Sequence, residues 1–173
     1  MKGRGFTLIE LLIVLAVGAI LFTIAIPGLG FLVNASRLAA VTNNLVSSLQ
    51  LARSEAIKRG QRVTVCKTSD AMAITPTCDA SASWREGWLV FVDGGTRGVI
   101  EAGDTLLRAQ ESAATAVAIT ASNYSTYISY LSSGVSQAPN NLANGKLRVC
   151  MAGNQREIII NRMGRIRLES SFC

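Results

Sequence analysis

Three arginines near the C-terminus have a spacing that suits phosphate binding. They lie in the segment RMGRIR, residues 162–167. On a strand, Arg165 and Arg167 project from the same face, because successive side chains alternate. Gly164 allows a tight turn that brings Arg162 beside them. Guanidinium groups match phosphate oxygens well, so the segment predicts a phosphate-binding surface. The alternative is that these arginines protect an edge strand and keep the chain soluble.

Positive charge is concentrated in the same region. The chain has 17 basic and 11 acidic residues, a net charge of +6. Without Lys2 and Arg4 the net charge is +4, and residues 146–173 alone carry six basic and two acidic residues, which is also +4. The six basic residues are Lys146, Arg148, Arg156, Arg162, Arg165 and Arg167.

The sequence has few residues arranged for enzyme catalysis or metal binding. The chain has no histidine, which removes the usual general base and the Ser-His-Asp and Cys-His arrangements. Asp93, Glu101 and Asp104 lack the dense ligand spacing of a calcium loop. We therefore predict no enzyme activity, no catalytic residue, no metal site and no cofactor.

Four cysteines lie in the second part of the chain, and their even number predicts two disulfides in an exported domain. No closely spaced pair suggests a four-cysteine zinc site. Three pairings are possible. Cys66–Cys78 with Cys150–Cys173 closes the short loops and is the pairing we favour.

The N-terminus combines a short basic segment with a long apolar one. Residues 1–5 include Lys2 and Arg4, and residues 6–33 contain a single ionisable residue, Glu10. The apolar run is longer than the core of a secretory signal and long enough to cross a bilayer. The basic segment predicts a cytoplasmic N-terminus and an external head. An acid inside such a run indicates a function with a specific partner.

Residues 5–10, GFTLIE, resemble the class III signal of type IV prepilins and type II secretion pseudopilins. The resemblance implies cleavage between Gly5 and Phe6 by prepilin peptidase, and N-methylation of Phe6. It also implies that Glu10 pairs with the N-terminal amine of a neighbouring pilin subunit during assembly. The protein is then expected in the inner membrane with a periplasmic head, and afterwards in a pilus at the cell surface.

The elements that position these residues follow from the periodicity. Apolar residues spaced three or four apart predict that the helix continues over residues 34–59, with Gly60 as a stop. They form one stripe that is expected to be buried: Leu38, Val41, Leu45, Leu49, Ala52 and Ala56. Period-two patterns then predict strands over residues 62–67, 87–93, 105–110, 116–121, 126–131, 147–151, 157–161 and 165–169. The predicted fold is α+β, a long N-terminal helix packed on an antiparallel sheet. Its divisions are a leader (1–5), a transmembrane or filament-core helix (6–33) and a head (34–173) whose β-rich region covers residues 60–173.

Three segments of the head resemble the FimT, FimU and GspH group of minor pilins and pseudopilins. These are ARSEAIKRG at residues 52–60, WREGWLVFVD at residues 84–93, and the G-R-x-R element at residues 164–167, which is similar to the C-terminus of the DNA-binding FimT proteins. The last resemblance implies sequence-independent DNA binding during natural transformation. From the charge of this region we predict that the DNA-binding residues are Arg162, Arg165, Arg167, Arg148 and Lys146. The alternative is a structural minor pilin or pseudopilin that initiates or caps a filament without binding nucleic acid.

Overall fold

The computed structural model describes residues 7–111, 113 and 116–173, without the side chains of residues 22 and 24–28. The leader, and the predicted cleavage and methylation at Gly5 and Phe6, lie outside the described residues. The chain divides into two compact units, Met1–Ser36 and Arg37–Cys173.

One helix, α1, runs from Leu8 to Arg59. Thr7 caps its start, because the Thr7 hydroxyl oxygen accepts the amide hydrogen of Glu10 at 3.4 Å. Gly60 follows the last turn with a φ of +66°, a conformation that glycine adopts without strain. The predicted end of the helix is confirmed.

Within the second unit, α1 buries the stripe that its spacing predicts. Val41 is half-buried on this stripe. The fully buried residues are Leu38, Leu45, Leu49, Ala52 and Ala56.

Nine strands follow and form two antiparallel sheets. The first sheet has the order β3-β2-β1-β5-β6, and the second has the order β4-β7-β8-β9. The strands are β1 Val63–Lys67, β2 Trp88–Val92, β3 Thr105–Gln110, β4 Ala118–Ser122, β5 Tyr127–Tyr130, β6 Ser136–Gln137, β7 Gly145–Met151, β8 Asn154–Ile160 and β9 Ile166–Phe172. The α+β class, with a helix packed on antiparallel strands, is confirmed.

The main core lies among α1 and both sheets. Trp88 of β2 belongs to it, and its indole N–H donates to the Ser48 hydroxyl of α1 at 2.9 Å. Leu147 of β7 and Ile158 of β8 belong to the same core from the second sheet. The opposite face of β2 packs Phe91 into a smaller second cluster.

Both disulfides form the favoured pairing. Cys66 is bonded to Cys78, with Cα atoms 5.6 Å apart, and Cys150 to Cys173, with Cα atoms 6.2 Å apart. The second bond connects β7 to the residue that follows β9.

Strands β8 and β9, predicted over residues 157–161 and 165–169, extend back to Asn154 and on to Phe172, and β6 was not predicted. Strand β8 begins at Asn154 because the residues of the β7–β8 turn, Ala152 and Gly153, have positive φ and the ladder starts at once, opposite Met151. The first residues of β8 are polar, so an alternating pattern of hydrophobicity does not reveal where the strand begins. Strand β6 has only two residues, too few to produce a pattern.

Candidate functional site

The predicted phosphate-binding segment forms a tight turn between β8 and β9, which we call the arginine turn (residues 161–167). The amide of Gly164 donates to the carbonyl of Asn161 at 2.9 Å. The Asn161 side-chain oxygen accepts the amide hydrogen of Arg165, also at 2.9 Å. The turn is therefore held by backbone and amide contacts, which leaves the guanidinium groups at its surface.

Position 164 requires a glycine because of both its backbone conformation and the small space beside it. Its φ is +71°, and a Cβ built there would lie 2.1 Å from the carbonyl oxygen of Gly134. A side chain would strain the backbone and force the two turns apart.

Arg53 of α1 fixes the arginine turn to the rest of the head. Its Nε donates to the carbonyl of Gly134 at 3.2 Å, and its Nη2 donates to the carbonyl of Met163 at 3.1 Å. One side chain thus joins two turns that are distant in sequence. Sequence reasoning did not identify Arg53, because its partners are carbonyls that only the fold brings together.

The three predicted arginines are exposed at this turn. Among the described residues, Arg162 and Arg165 have no carboxylate within ion-pair distance, whereas Arg167 binds Glu169 at 2.9 Å. That pair is exposed, so Arg167 can exchange its carboxylate for a phosphate at low cost. The turn therefore offers two unpaired guanidinium groups and one weakly paired group.

Lys146 and Arg148 lie on the same face of the second sheet as Arg167, but both are paired with one acid. Glu157 stands opposite Arg148 in the ladder and binds it at 2.6 Å, and it binds Lys146 at 3.4 Å. The hydrogen bond from Arg148, with the nearby charge of Lys146, lowers the pKa of Glu157. At neutral pH this carboxylate is ionised and partly neutralises both cations. They are thus not part of the unpaired group at the turn.

An open cleft of about 680 Å³ adjoins the arginine turn. Lys146 and Arg162 both line it, together with the side chains or backbone of Asn123, Asn144 and Asn161. The cleft places polar groups beside the two cations.

Two of the three acidic residues of the β2–β3 loop, Asp93 and Asp104, bind other groups of the protein. Asp93 is buried and binds Arg62 at 2.6 Å. The Asp104 carboxylate accepts the amide hydrogens of Gly94 and Glu101, both at 2.9 Å. Across the described part of the chain, no group of acids, cysteines or histidines has the arrangement of a metal site.

In the first unit, the N-terminal part of α1 exposes large apolar side chains, among them Leu8, Leu15 and Phe31. Glu10 is also exposed there. No helical stretch in residues 7–111, 113 and 116–173 combines the length and apolar character needed to cross a bilayer. The predicted transmembrane segment stays a prediction.

Comparison with protein families gives two matches. The family model described as type II transport protein GspH matches residues 41–164. The model of the prokaryotic N-terminal methylation motif matches residues 1–26. Among curated proteins, none is similar enough to this chain to count as a relative.

Solved structures with a similar fold include a minor pilin and a minor pseudopilin. The type IV minor pilin FimU of Pseudomonas aeruginosa superposes with a TM-score of 0.60 at 18% identity, over 78% of this chain and 90% of FimU. The minor pseudopilin EpsH of the type 2 secretion system of Vibrio cholerae gives a TM-score of 0.53 at 14% identity, over 78% of this chain and 97% of EpsH. At such identities the likeness shows the fold alone.

Proposed function

Since the chain belongs to the type II transport protein GspH family, we propose that it is a minor pilin whose head binds DNA, without regard to sequence, through the arginine turn. Membership of this family, together with the N-terminal methylation motif, supports a filament subunit made as a membrane-anchored precursor. The DNA-binding role is the more specific part of the proposal, and the observations at the turn support it.

The main support for DNA binding is that the arginines of the turn are unpaired or only weakly paired with acids. Arg162 and Arg165 are exposed without an acid partner among the described residues, and Arg167 is held only by an exposed pair with Glu169. Unpaired guanidinium groups on a hydrogen-bonded turn bind phosphate without first breaking an ion pair. The contacts go to the DNA backbone, so they select no base sequence.

Assembly is proposed to use the N-terminal part of α1. Its exposed apolar side chains suit packing against the same segment of neighbouring subunits. Glu10, in the first turn of α1, is proposed to pair with the N-terminal amine of a neighbour after cleavage between Gly5 and Phe6. Such a pair offsets the cost of burying either charge alone.

A gel-shift titration tests DNA binding. The full chain in a non-ionic detergent is titrated against short duplex DNA, beside Arg165→Gln with Arg167→Gln. The control, Lys58→Gln with Arg59→Gln, removes the same charge from the last turn of α1. We expect binding in the micromolar to 100 micromolar range typical of non-specific contact, strongly weakened in the first variant and kept in the control. Equal binding by both folded variants would remove the turn from the proposal.

A structural pseudopilin without nucleic-acid binding is the second candidate. Glu157 and Glu169 neutralise part of the basic face of the second sheet, which favours a surface balanced for packing against other subunits. A deletion strain separates the two functions. Loss of transformation with intact secretion supports DNA uptake, whereas loss of secretion with intact transformation supports the pseudopilin.

A further inference from the structure

A groove beside the arginine turn is lined by two guanidinium groups, one from α1 and one from the turn. It has a volume of about 420 Å³. Arg53, Gln50 and Ser54 line it from α1, and Arg165 lines it from the turn. Ile57 and Ile166 supply its apolar walls.

Arg53 is a half-buried cation without an acid. Its two hydrogen bonds go to neutral carbonyls, and within the described residues no carboxylate lies within ion-pair distance of it. A guanidinium group has five N–H donors, so three remain after those two bonds. The position of the group is fixed, and part of its donor capacity is free.

Two guanidinium groups that line one groove repel each other unless an anion lies between them. Arg165 is exposed and likewise has no acid partner among the described residues. The groove also contains the exposed Gln50 amide, which is a neutral donor beside the charges, whereas the Ser54 hydroxyl already donates to the carbonyl of Leu51. A tetrahedral oxyanion accepts hydrogen bonds from both guanidinium groups and from this amide, and apolar walls strengthen its attraction to the two cations.

We propose that this groove is a phosphate-binding subsite, in which Arg53 and Arg165 hold one phosphate group between α1 and the arginine turn. The occupant is a phosphate of the DNA backbone, or free phosphate, which has the same chemistry. For DNA the inference rests on the proposed function. It extends the predicted set of arginines onto a helix that sequence reasoning assigned only to packing.

A pair of charge variants on α1 tests the subsite without disturbing the core. Gln50 is exposed in the groove, and Asn44 is exposed about 120° away around the helix. Gln50→Glu places a negative charge beside the phosphate and should weaken DNA binding at least about fourfold, the factor for unit charges about 5 Å apart in water. Asn44→Glu adds the same charge elsewhere and should change binding less than twofold. Equal weakening by both variants would overturn the proposal.

The salt dependence separates phosphate contact from structural support when Arg53→Gln is added to Arg165→Gln. In Arg165→Gln alone, Arg53 still holds the shared phosphate, and the added change removes that contact, so the log–log salt slope becomes flatter by about 0.9. The ratio of the dissociation constant of the double variant to that of Arg165→Gln then falls about 3.5-fold between 50 and 200 mM salt. Equal slopes in Arg165→Gln and the double variant would show that Arg53 only holds the turn, and the subsite would be wrong.

A titration with inorganic phosphate keeps this test independent of DNA binding. The full chain in detergent is titrated at constant ionic strength while the amide signals of Gly164 and Arg165 are followed by NMR. We expect saturable shifts that disappear in Arg53→Gln. If the wild type binds no DNA, the proposed function fails, but saturable phosphate shifts still support the subsite. Absence of any shift overturns the subsite, whatever DNA does.

Discussion

Replacing Gly164 by alanine should destabilise the head and displace the arginine turn. The residue has a φ of +71°, and a Cβ would lie 2.1 Å from the carbonyl oxygen of Gly134. The left-handed conformation costs about 1–2 kcal/mol for a residue with a Cβ. Relieving the contact requires a backbone shift of the kind that overpacking causes, about 1–3 kcal/mol. Together these give a loss of about 2–5 kcal/mol in the free energy of unfolding.

Gly60→Ala supplies a matched control, because its φ is +66° and no atom lies within 4 Å of the added Cβ. It should lose only the conformational part, about 1–2 kcal/mol. The difference between the variants therefore isolates the contact between the two turns. Equilibrium denaturation with both disulfides intact measures each loss. Losses that agree within error would refute the close packing of the arginine turn against Gly134.

Three further predictions concern charges and covalent bonds. Glu157→Gln releases two cations for phosphate, so the log–log salt slope of DNA binding, measured by fluorescence anisotropy, should steepen by up to about 1.8. Cys150→Ser with Cys173→Ser opens a loop with a sequence separation of 23 residues and should lower the free energy of unfolding in urea by about 3 kcal/mol. Hydrogen bonds from Ser81 lower the pKa of Asp79 to about 2, so their stabilisation is present above pH 3.8 and is lost as the pH falls through 2. Amide exchange at Ser81, corrected for intrinsic rates, should show this loss of protection between pH 4 and 2.

Each of these predictions has a contradicting result. Glu111→Gln removes the same charge from an exposed residue outside the basic face, and a slope change as large as that of Glu157→Gln would contradict the pairing. An unfolding midpoint unaffected by the loss of the Cys150–Cys173 bond would contradict its role in holding β9. Constant protection at Ser81 down to pH 2 would contradict the hydrogen bonds to Asp79.

Much of the fold follows from local patterns in the sequence. The stripe from Leu38 to Ala56 gave the buried face of α1, because helical spacing alone decides which residues share a face. Loop lengths favoured the disulfide pairing that the structure has. The division of the strands into two sheets was not predicted, since it depends on contacts between segments far apart in the chain.

The site was predicted less completely than the fold. The exposed arginines at the turn were recognised from their spacing, and the glycine between them indicated the turn. The pairing of Arg148 with Glu157 was missed because it depends on the register of β7 and β8. Arg53 was missed because an arginine on an amphipathic helix has no sequence signal for its contact with a carbonyl 110 residues away.

The most direct test of the account is the salt dependence of DNA binding by the full chain, measured by fluorescence anisotropy on a labelled duplex. Three phosphate contacts at the arginine turn predict a log–log slope of about −2.7. Arg165→Gln with Arg167→Gln should leave a slope of about −1.8, because Arg162 and Arg53 each still hold a phosphate. A wild-type protein that does not bind at low salt, or whose slope is unchanged in the double variant, would contradict DNA binding at the turn.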